Sequence, residues 1–131
     1  MTTILLDHNL EGDGELLLGA LVKSGWLEMV PIQLVTFAEA GLPMDSGDRE
    51  VWRFAQQRQM LLLTDNRNME GDNSLEETLR EEVDADSLPV ITIGKRGRLD
   101  DPDYREKCAD KLVEIVIDLD RYRGYSRLFI P

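Results

Sequence analysis

The chain has 131 residues, of which 42% are hydrophobic, and it carries 26 Asp and Glu against 15 Lys and Arg, a formal charge of −11. This length suits one domain and leaves no room for two independent cores, so we expect a single domain over residues 1–131. The single cysteine, Cys108, excludes an intramolecular disulfide and a cysteine-based zinc site. Neither a span of ~18 apolar residues nor a basic signal-peptide region occurs, which predicts a cytoplasmic protein without a membrane segment.

Short apolar runs and amphipathic stretches alternate along the chain. Runs of apolar and β-branched residues predict buried strands, whereas apolar residues at helical spacing predict helices. In chain order, we predict a strand at 3–6, a helix from about 13, a strand at 30–37, a helix from 45–48 towards 60, a strand at 60–63, a helix from 74, a strand at 89–94, a helix from 101 to 122, and a final edge strand at 128–130. Two helix starts have clear signals: Ser74 with Glu77 matches a capping box, and Asp101 precedes a proline.

This order predicts an α/β protein, a three-layer α/β/α sandwich with a mostly parallel central sheet. Ligands of such sheets bind beyond the carboxyl ends of the strands, where the strand order reverses. We expect the first strand to lie between the second and third, which places this point between the ends of the first and third strands. The polar residues 7–9 and 64–68 follow those two strands, so they are the candidate site.

Acids and amides occupy both strand ends. Asp7 follows the first strand and Asp65 the third. Because neighbouring strands lie ~4.8 Å apart, the two carboxylates could share one divalent cation, and oxygen ligands favour Mg²⁺ or Mn²⁺. Asp48 could reach the same rim from the second helix, Asp45 competes with it, and either could simply cap that helix. Asp65 and Asn66 could instead form an Asx-turn that needs no ligand.

A basic loop follows the fourth strand and should lie on the same rim. Lys95, Arg96 and Arg98, set between glycines, could contact phosphates, or could form an exposed turn balanced by nearby aspartates. The chain as a whole lacks the basic footprint of a nucleic-acid-binding protein, because residues 1–93 hold six basic and 18 acidic side chains. His8 could act as a general base beside the acids, but a loop histidine is the simpler interpretation.

Three motifs in this order resemble those of the PIN-like domains. They are ILLDHNL at residues 4–10, GDREVWRFA at 47–55 and MLLLTDNRN at 60–68. The likeness is greatest to a small single-domain subgroup with a strand ending in Asp-x-Asn-Leu, an Asp opening a helix, and a strand ending in Thr-x-Asp-x-Asp-Phe. The motifs cover roughly the first 70 residues, and the remainder is similar only in its succession of strands and helices.

The resemblance implies a metal-dependent ribonuclease in which an acidic pocket holds Mg²⁺ or Mn²⁺ and activates water against an RNA phosphodiester. It also implies a toxin-like protein with an antitoxin or other protein partner, and a homodimer. The resemblance implies Asp7 as the central metal ligand, Asp48 as the second acid and the segment 64–68 as the source of the rest. We therefore expect Asp7, Asp48 and Asp65 as catalytic residues and metal ligands, Asn66 as a further ligand, and Asn9, Thr64 and Asn68 in support. From their place after the fourth strand, Lys95, Arg96 and Arg98 are the candidates for substrate binding.

The sequence departs from the family pattern at the third motif. With Thr64 aligned, the two family acids fall on Asn66 and Asn68, and Asp65 lies one place early. An amide oxygen can bind a metal but carries no charge, so the substitutions should weaken metal affinity. A catalytically degenerate PIN-like binding or regulatory protein is therefore an alternative. A receiver-like phosphoryl-transfer domain, with Asp65 as acceptor and Lys95 beside it, is a weaker one because its motif positions do not match.

Overall fold

The computed structural model describes residues 1–66, 71 and 73–131. The strands are β1 (Thr2–Leu6), β2 (Ile32–Val35), β3 (Leu61–Thr64), β4 (Val90–Ile93) and β5 (Arg127–Ile130). The helices are α1 (Glu11–Lys23), α2 (Trp26–Met29), α3 (Phe37–Ala40), α4 (Asp48–Gln57), α5 (Leu75–Glu82) and α6 (Pro102–Ile117). Short 3-10 turns cover His8–Leu10, Arg96–Arg98 and Leu119–Tyr122.

The strands form one sheet in the order β2-β1-β3-β4-β5, and every neighbouring pair is parallel. In register, Leu5 of β1 lies between Val35 of β2 and Leu62 of β3. This confirms the predicted α/β/α sandwich and the position of β1 between β2 and β3. The strand order reverses between β1 and β3, so the carboxyl ends of these two strands mark the expected binding position.

Helices cover both faces of the sheet, which explains why the strands are apolar throughout rather than alternating. Leu61 and Leu63 of β3 face a core built with α1 and α6, whereas Leu62 faces a core built with α3, α4 and α5. The helix α1 packs tightly on β1, because a Cβ atom at Gly14 would lie 2.4 Å from Cδ1 of Leu6. This packing fixes the end of β1, from which the candidate site begins.

Two predicted boundaries are wrong. The strand expected at 30–37 covers only Ile32–Val35, because Thr36 begins α3 with a capping box: its hydroxyl accepts a bond from the Glu39 amide, and the Glu39 carboxylate accepts one from the Thr36 amide. The helix expected to reach 122 ends at Ile117. The apolar spacing continues through the following 3-10 turn, where Leu119 packs against the core, and periodicity alone therefore conceals the end of the helix.

The last predicted strand is confirmed as β5, an edge strand parallel to β4. Within residues 1–66, 71 and 73–131, none of the helices has the length and apolar character needed to cross a bilayer.

Candidate functional site

Asp7 joins the end of β1 to the end of β3. Its backbone amide donates to the Leu63 carbonyl at 2.9 Å, so the backbone hydrogen bonding between β1 and β3 continues one residue beyond β1. Its Oδ1 accepts a bond from the His8 amide at 2.8 Å and thereby caps the 3-10 turn that follows β1. Its Oδ2 accepts a 2.6 Å bond from the hydroxyl of Thr64, which is fully buried. These contacts hold the carboxylate at the switch point of the sheet.

Asp48 reaches the same place from the first turn of α4. Gly47 is the N-cap of this helix, and the carboxylate of Asp48 does not cap it, so the interpretation of Asp48 as a helix cap is wrong. Instead its Oδ2 accepts bonds from the Asn66 side-chain amide at 2.9 Å and from the Leu75 backbone amide at 3.1 Å. Asp48 thus ties the start of α4 to the loop after β3 and to the first turn of α5.

Asp65 follows β3, and its contacts differ from those of the other two acids. Its Oδ1 accepts a bond from the Asn9 side-chain amide at 3.0 Å, and its Oδ2 lies 3.5 Å from Nη1 of Arg96. Arg96 also contacts Asp13 at 2.7 Å through Nε and the Asn9 carbonyl at 2.8 Å through Nη2. A guanidinium from the basic loop therefore neutralises part of the charge of Asp65.

The buried side chain of Arg127 in β5 holds the loop after β3, and the sequence analysis did not identify this residue. The Asn66 amide donates to the Thr64 hydroxyl at 2.9 Å, and the Asn66 carbonyl accepts from Nη1 of Arg127 at 2.8 Å. The same Nη1 donates to the buried Thr92 hydroxyl at 2.6 Å, and Nη2 donates to Glu76 of α5. The Arg127 side chain is 8% exposed. Nothing in the sequence around Arg127 indicates this role, because the contacts join four separate elements.

An open pocket of about 440 Å³ lies between these strand ends. Among the described residues, its lining comprises Asp7, His8, Asn9, Phe37, Met44, Ser46, Asp48, Asp65 and Asn66. The pocket therefore brings together the three predicted acids, includes Asp48, and leaves out its competitor Asp45. The sequence analysis missed Phe37, Met44 and Ser46. The T-x-x-E capping box at 36–39 could have identified the start of α3 and hence Phe37, whereas nothing in the sequence around Met44 and Ser46 indicates the pocket.

The charges in this pocket repel one another. Burial is the largest cause that raises the pKa of Asp7 above 3.8, and the charges of Asp48 and Asp65 raise it further. The hydrogen bonds from Thr64 and from the His8 amide oppose this rise without cancelling it. A positive charge bound beside Asp7 would favour its ionised form and lower this pKa.

The donor chemistry fits a hard divalent cation, since carboxylate and amide oxygens line the pocket. Each carboxylate oxygen has more than one lone pair, so Asp7 and Asp48 retain capacity beyond their present bonds. In the described part of the chain, however, no three His, Cys, Asp or Glu side chains are grouped so as to hold a metal ion. Asp65 is the acid whose oxygens face Asn9 and Arg96 instead.

The remaining predicted residues occupy different positions. Thr64 and Asn9 hold the acids as expected, whereas Asn68 lies outside the described residues. Lys95 and Arg98 are exposed, and Arg98 lies over the Tyr104 ring at 4.8 Å and 3.8 Å from Asp101. These contacts agree with the exposed turn balanced by aspartates.

His8 lines the pocket, but its ring contacts groups other than the three acids. Its Nδ1 lies 3.4 Å from Glu11, and the ring centroid lies 5.9 Å from that of Phe37. These contacts suit a loop histidine. Compared with protein-family models, with curated proteins and with solved structures, the chain gives no significant match.

Proposed function

We propose that the protein is a Mg²⁺- or Mn²⁺-dependent phosphodiesterase that hydrolyses RNA in the pocket formed by Asp7, Asp48 and Asp65. One observation carries the proposal: three carboxylates from three separate elements line one pocket at the point where the strand order reverses. The choice of RNA is supported by the order of motifs that resembles the PIN-like domains. An antitoxin partner and a homodimer stay predictions of that resemblance.

The proposed reaction assigns a different task to each acid. The cation, bound by Asp7 and Asp48 with Asp65, would offset charge on the phosphate and lower the pKa of the attacking water. Asp7 would accept the proton of the attacking water, a role that suits a carboxyl group whose pKa burial raises. The new P–O bond forms as the bond to the leaving oxygen breaks, and that oxygen takes a proton from solvent. Asp48 holds Asn66 and α5 in position around the reacting group.

A second candidate function is supported by the bonds that the acids already make. Thr64 donates to Asp7, Asn66 donates to Asp48 and Asn9 donates to Asp65, so internal donors hold all three carboxylates. A pocket of this kind suits a degenerate domain that binds a partner without hydrolysis. The receiver-like alternative has less support, because a phosphoryl acceptor needs a carboxylate that faces substrate rather than an arginine.

Calorimetric titration with Mn²⁺ and Mg²⁺ tests the proposal directly. We expect the wild type to bind at micromolar to low-millimolar concentration and Asp7→Asn to lose binding. Asp45→Asn is the matched control, because Asp45 is an exposed acid close in sequence to Asp48 that does not line the pocket. Its affinity should equal that of the wild type.

Cleavage of a labelled single-stranded RNA, measured with the same three proteins in Mn²⁺ and in EDTA, then tests hydrolysis. Activity that needs Mn²⁺ and is lost only in Asp7→Asn supports the nuclease. Metal binding without cleavage favours the degenerate domain. If the wild type binds neither ion, the metal-dependent function is wrong.

A further inference from the structure

The helix α1 exposes an apolar pair that no described part of the chain covers. Its inner side, with Leu17 and Leu21, packs in the core shared with α6. On its outer side, Leu18 is 39% exposed and Val22 is 61% exposed. Residues four apart on a helix are neighbours, so these two side chains form one apolar surface in solvent. A continuous apolar surface, unlike a single exposed side chain, points to an interaction site.

The helical row beside this pair is open at its centre. Gly19 is exposed and lines a groove of about 410 Å³ between α1 and α6, and a Cβ atom added to it would contact nothing within 4 Å. Packing within the protein therefore does not require a glycine at this position, although glycine weakens a helix. A glycine here allows the backbone of a second helix to approach α1 closely.

The same row carries opposite charges at equal distances from Gly19. Glu15 lies four residues before it and Lys23 four residues after it. Both residues are exposed, and within the described part of the chain neither side chain has an ion-pair partner. A second copy of α1 that crosses at Gly19 in the opposite direction places Glu15 of each copy against Lys23 of the other. This row is complementary in charge to itself, which favours a second copy of the chain as the partner.

We propose that the outer face of α1 is a dimer interface, in which two copies of the chain pack antiparallel across a twofold axis at Gly19. Two Glu15–Lys23 pairs form at the ends of the contact, and the Leu18 and Val22 side chains of both copies cover each other on one side of the crossing. Rows of four-residue spacing pack together when two helix axes cross at about −50°. The interface is independent of the proposed function, because α1 contains none of the three pocket acids.

Sedimentation velocity tests the interface through charge variants. The wild type is measured from about 2 to 200 µM in about 0.15 M salt, which limits the long-range repulsion between two chains of charge −11. We expect dimers to form as the concentration rises, because an interface built on one pair of helices belongs to the small, weak class. Glu15→Lys and Lys23→Glu each place like charges at both ends of the contact and should weaken association about tenfold.

An equimolar mixture of Glu15→Lys and Lys23→Glu tests the pairing between copies. In the mixed dimer each end again joins opposite charges, so dimers should return at the concentration that the wild type needs. The double variant, which only exchanges the two charges, should also associate like the wild type. Asp45→Lys is the matched control, because it changes the charge as Glu15→Lys does at an exposed acid on the opposite face of the sheet, before α4. Its association should equal that of the wild type.

Gly19→Gln separates the interface from folding. Glutamine favours a helix more than glycine does, so the melting temperature of the dilute, monomeric protein should rise. The added side chain should block the crossing of the two helices and abolish the dimer. Thermal unfolding by circular dichroism and sedimentation of the same samples measure the two effects.

Three results would overturn the interface. The first is a wild type that stays monomeric at the highest concentration. The second is a dimer that the charge variants and Gly19→Gln leave unchanged, because the contact would then lie elsewhere. The third is a mixture of Glu15→Lys and Lys23→Glu that does not restore the dimer, because the two charges would then not pair between copies.

Discussion

Replacement of Arg127 by Met tests whether the loop of the candidate site depends on this buried arginine. The variant removes bonds to the Asn66 carbonyl, the Thr92 hydroxyl and the Glu76 carboxylate. Thr92 is fully buried, so its unpaired hydroxyl should cost about 1–3 kcal/mol. Glu76 is 29% exposed, and water can partly replace its lost partner, which keeps the cost below that of a fully buried broken pair.

Together these terms give a loss of about 2–4 kcal/mol in the free energy of unfolding. For a chain of this length, 1 kcal/mol corresponds to about 4 °C, so the melting temperature should fall by about 8–16 °C. Urea unfolding and calorimetry of the wild type, Arg127→Met and the double variant with Glu76→Gln measure this. The double variant should lose less than the sum of its single variants, because each partner loses most of its value once the other is gone.

Arg121→Met is the matched control, since Arg121 is 79% exposed and lies 3.8 Å from Asp118. It should change stability by about 0.5 kcal/mol or less. A loss below about 1 kcal/mol in Arg127→Met, or additive effects in the double variant, would show that the arginine is not the support described here.

Three further predictions concern the acids. Burial raises the folded-state pKa of Asp7 above 3.8, so its protonated form contributes stability that is present below pH 3.8 and is lost as the pH rises through the raised pKa. Urea unfolding at a series of pH values should therefore show the wild type losing stability relative to Asp7→Asn as the pH rises. A difference that stays constant with pH would contradict this. Thr64→Val removes a donor to Asp7 and an acceptor of the Asn66 amide, so it should cost about 1–3 kcal/mol in urea unfolding and shift that pH-dependent loss upward. Asn66→Asp places a second carboxylate against Asp48 and should lower the melting temperature in EDTA while tightening Mn²⁺ binding about tenfold in calorimetry; unchanged affinity would show that residue 66 does not face the cation.

Most of the fold could be predicted because the apolar pattern of each segment and the order of the segments along the chain indicate the same architecture. The run of residues 60–63 is apolar on every side chain, which only a strand buried on both faces requires, and β3 lies in the middle of the sheet. The order of elements then dictates parallel strands with helices on both faces. The errors occur where two structures share one pattern. The apolar spacing of the last helix continues into a 3-10 turn, and residues 30–37, rich in apolar and β-branched side chains, cover both β2 and the start of α3.

The positions of the candidate site could be predicted better than its bonds. Asp7 and Asp65 come together because parallel strands end at the same edge, which is a property of topology. The partners of these acids are Thr64, Asn9 and Arg96, and the last of them lies 31 residues from Asp65 in sequence. No local pattern encodes such a contact. The sequence therefore left Arg96 open between phosphate binding and a turn balanced by nearby aspartates, and it could not identify Asp13 and Asp65 as the acids that Arg96 contacts.

The hydrogen bonds inside the pocket lower the pKa of Asp7, whereas burial and the neighbouring acids raise it. The Thr64 hydroxyl and the backbone amides of His8 and Leu75 donate to the partly buried carboxylates of Asp7 and Asp48 at the sheet edge. These donors do not bring the pKa of Asp7 down to its ordinary value, because burial, and to a lesser extent the charges of Asp48 and Asp65, raise it. A divalent cation would favour the ionised form of all three acids, whereas Arg96 lies beside Asp65. The proposed function therefore requires a cation that these acids bind more strongly than they bind the donors already present in the pocket.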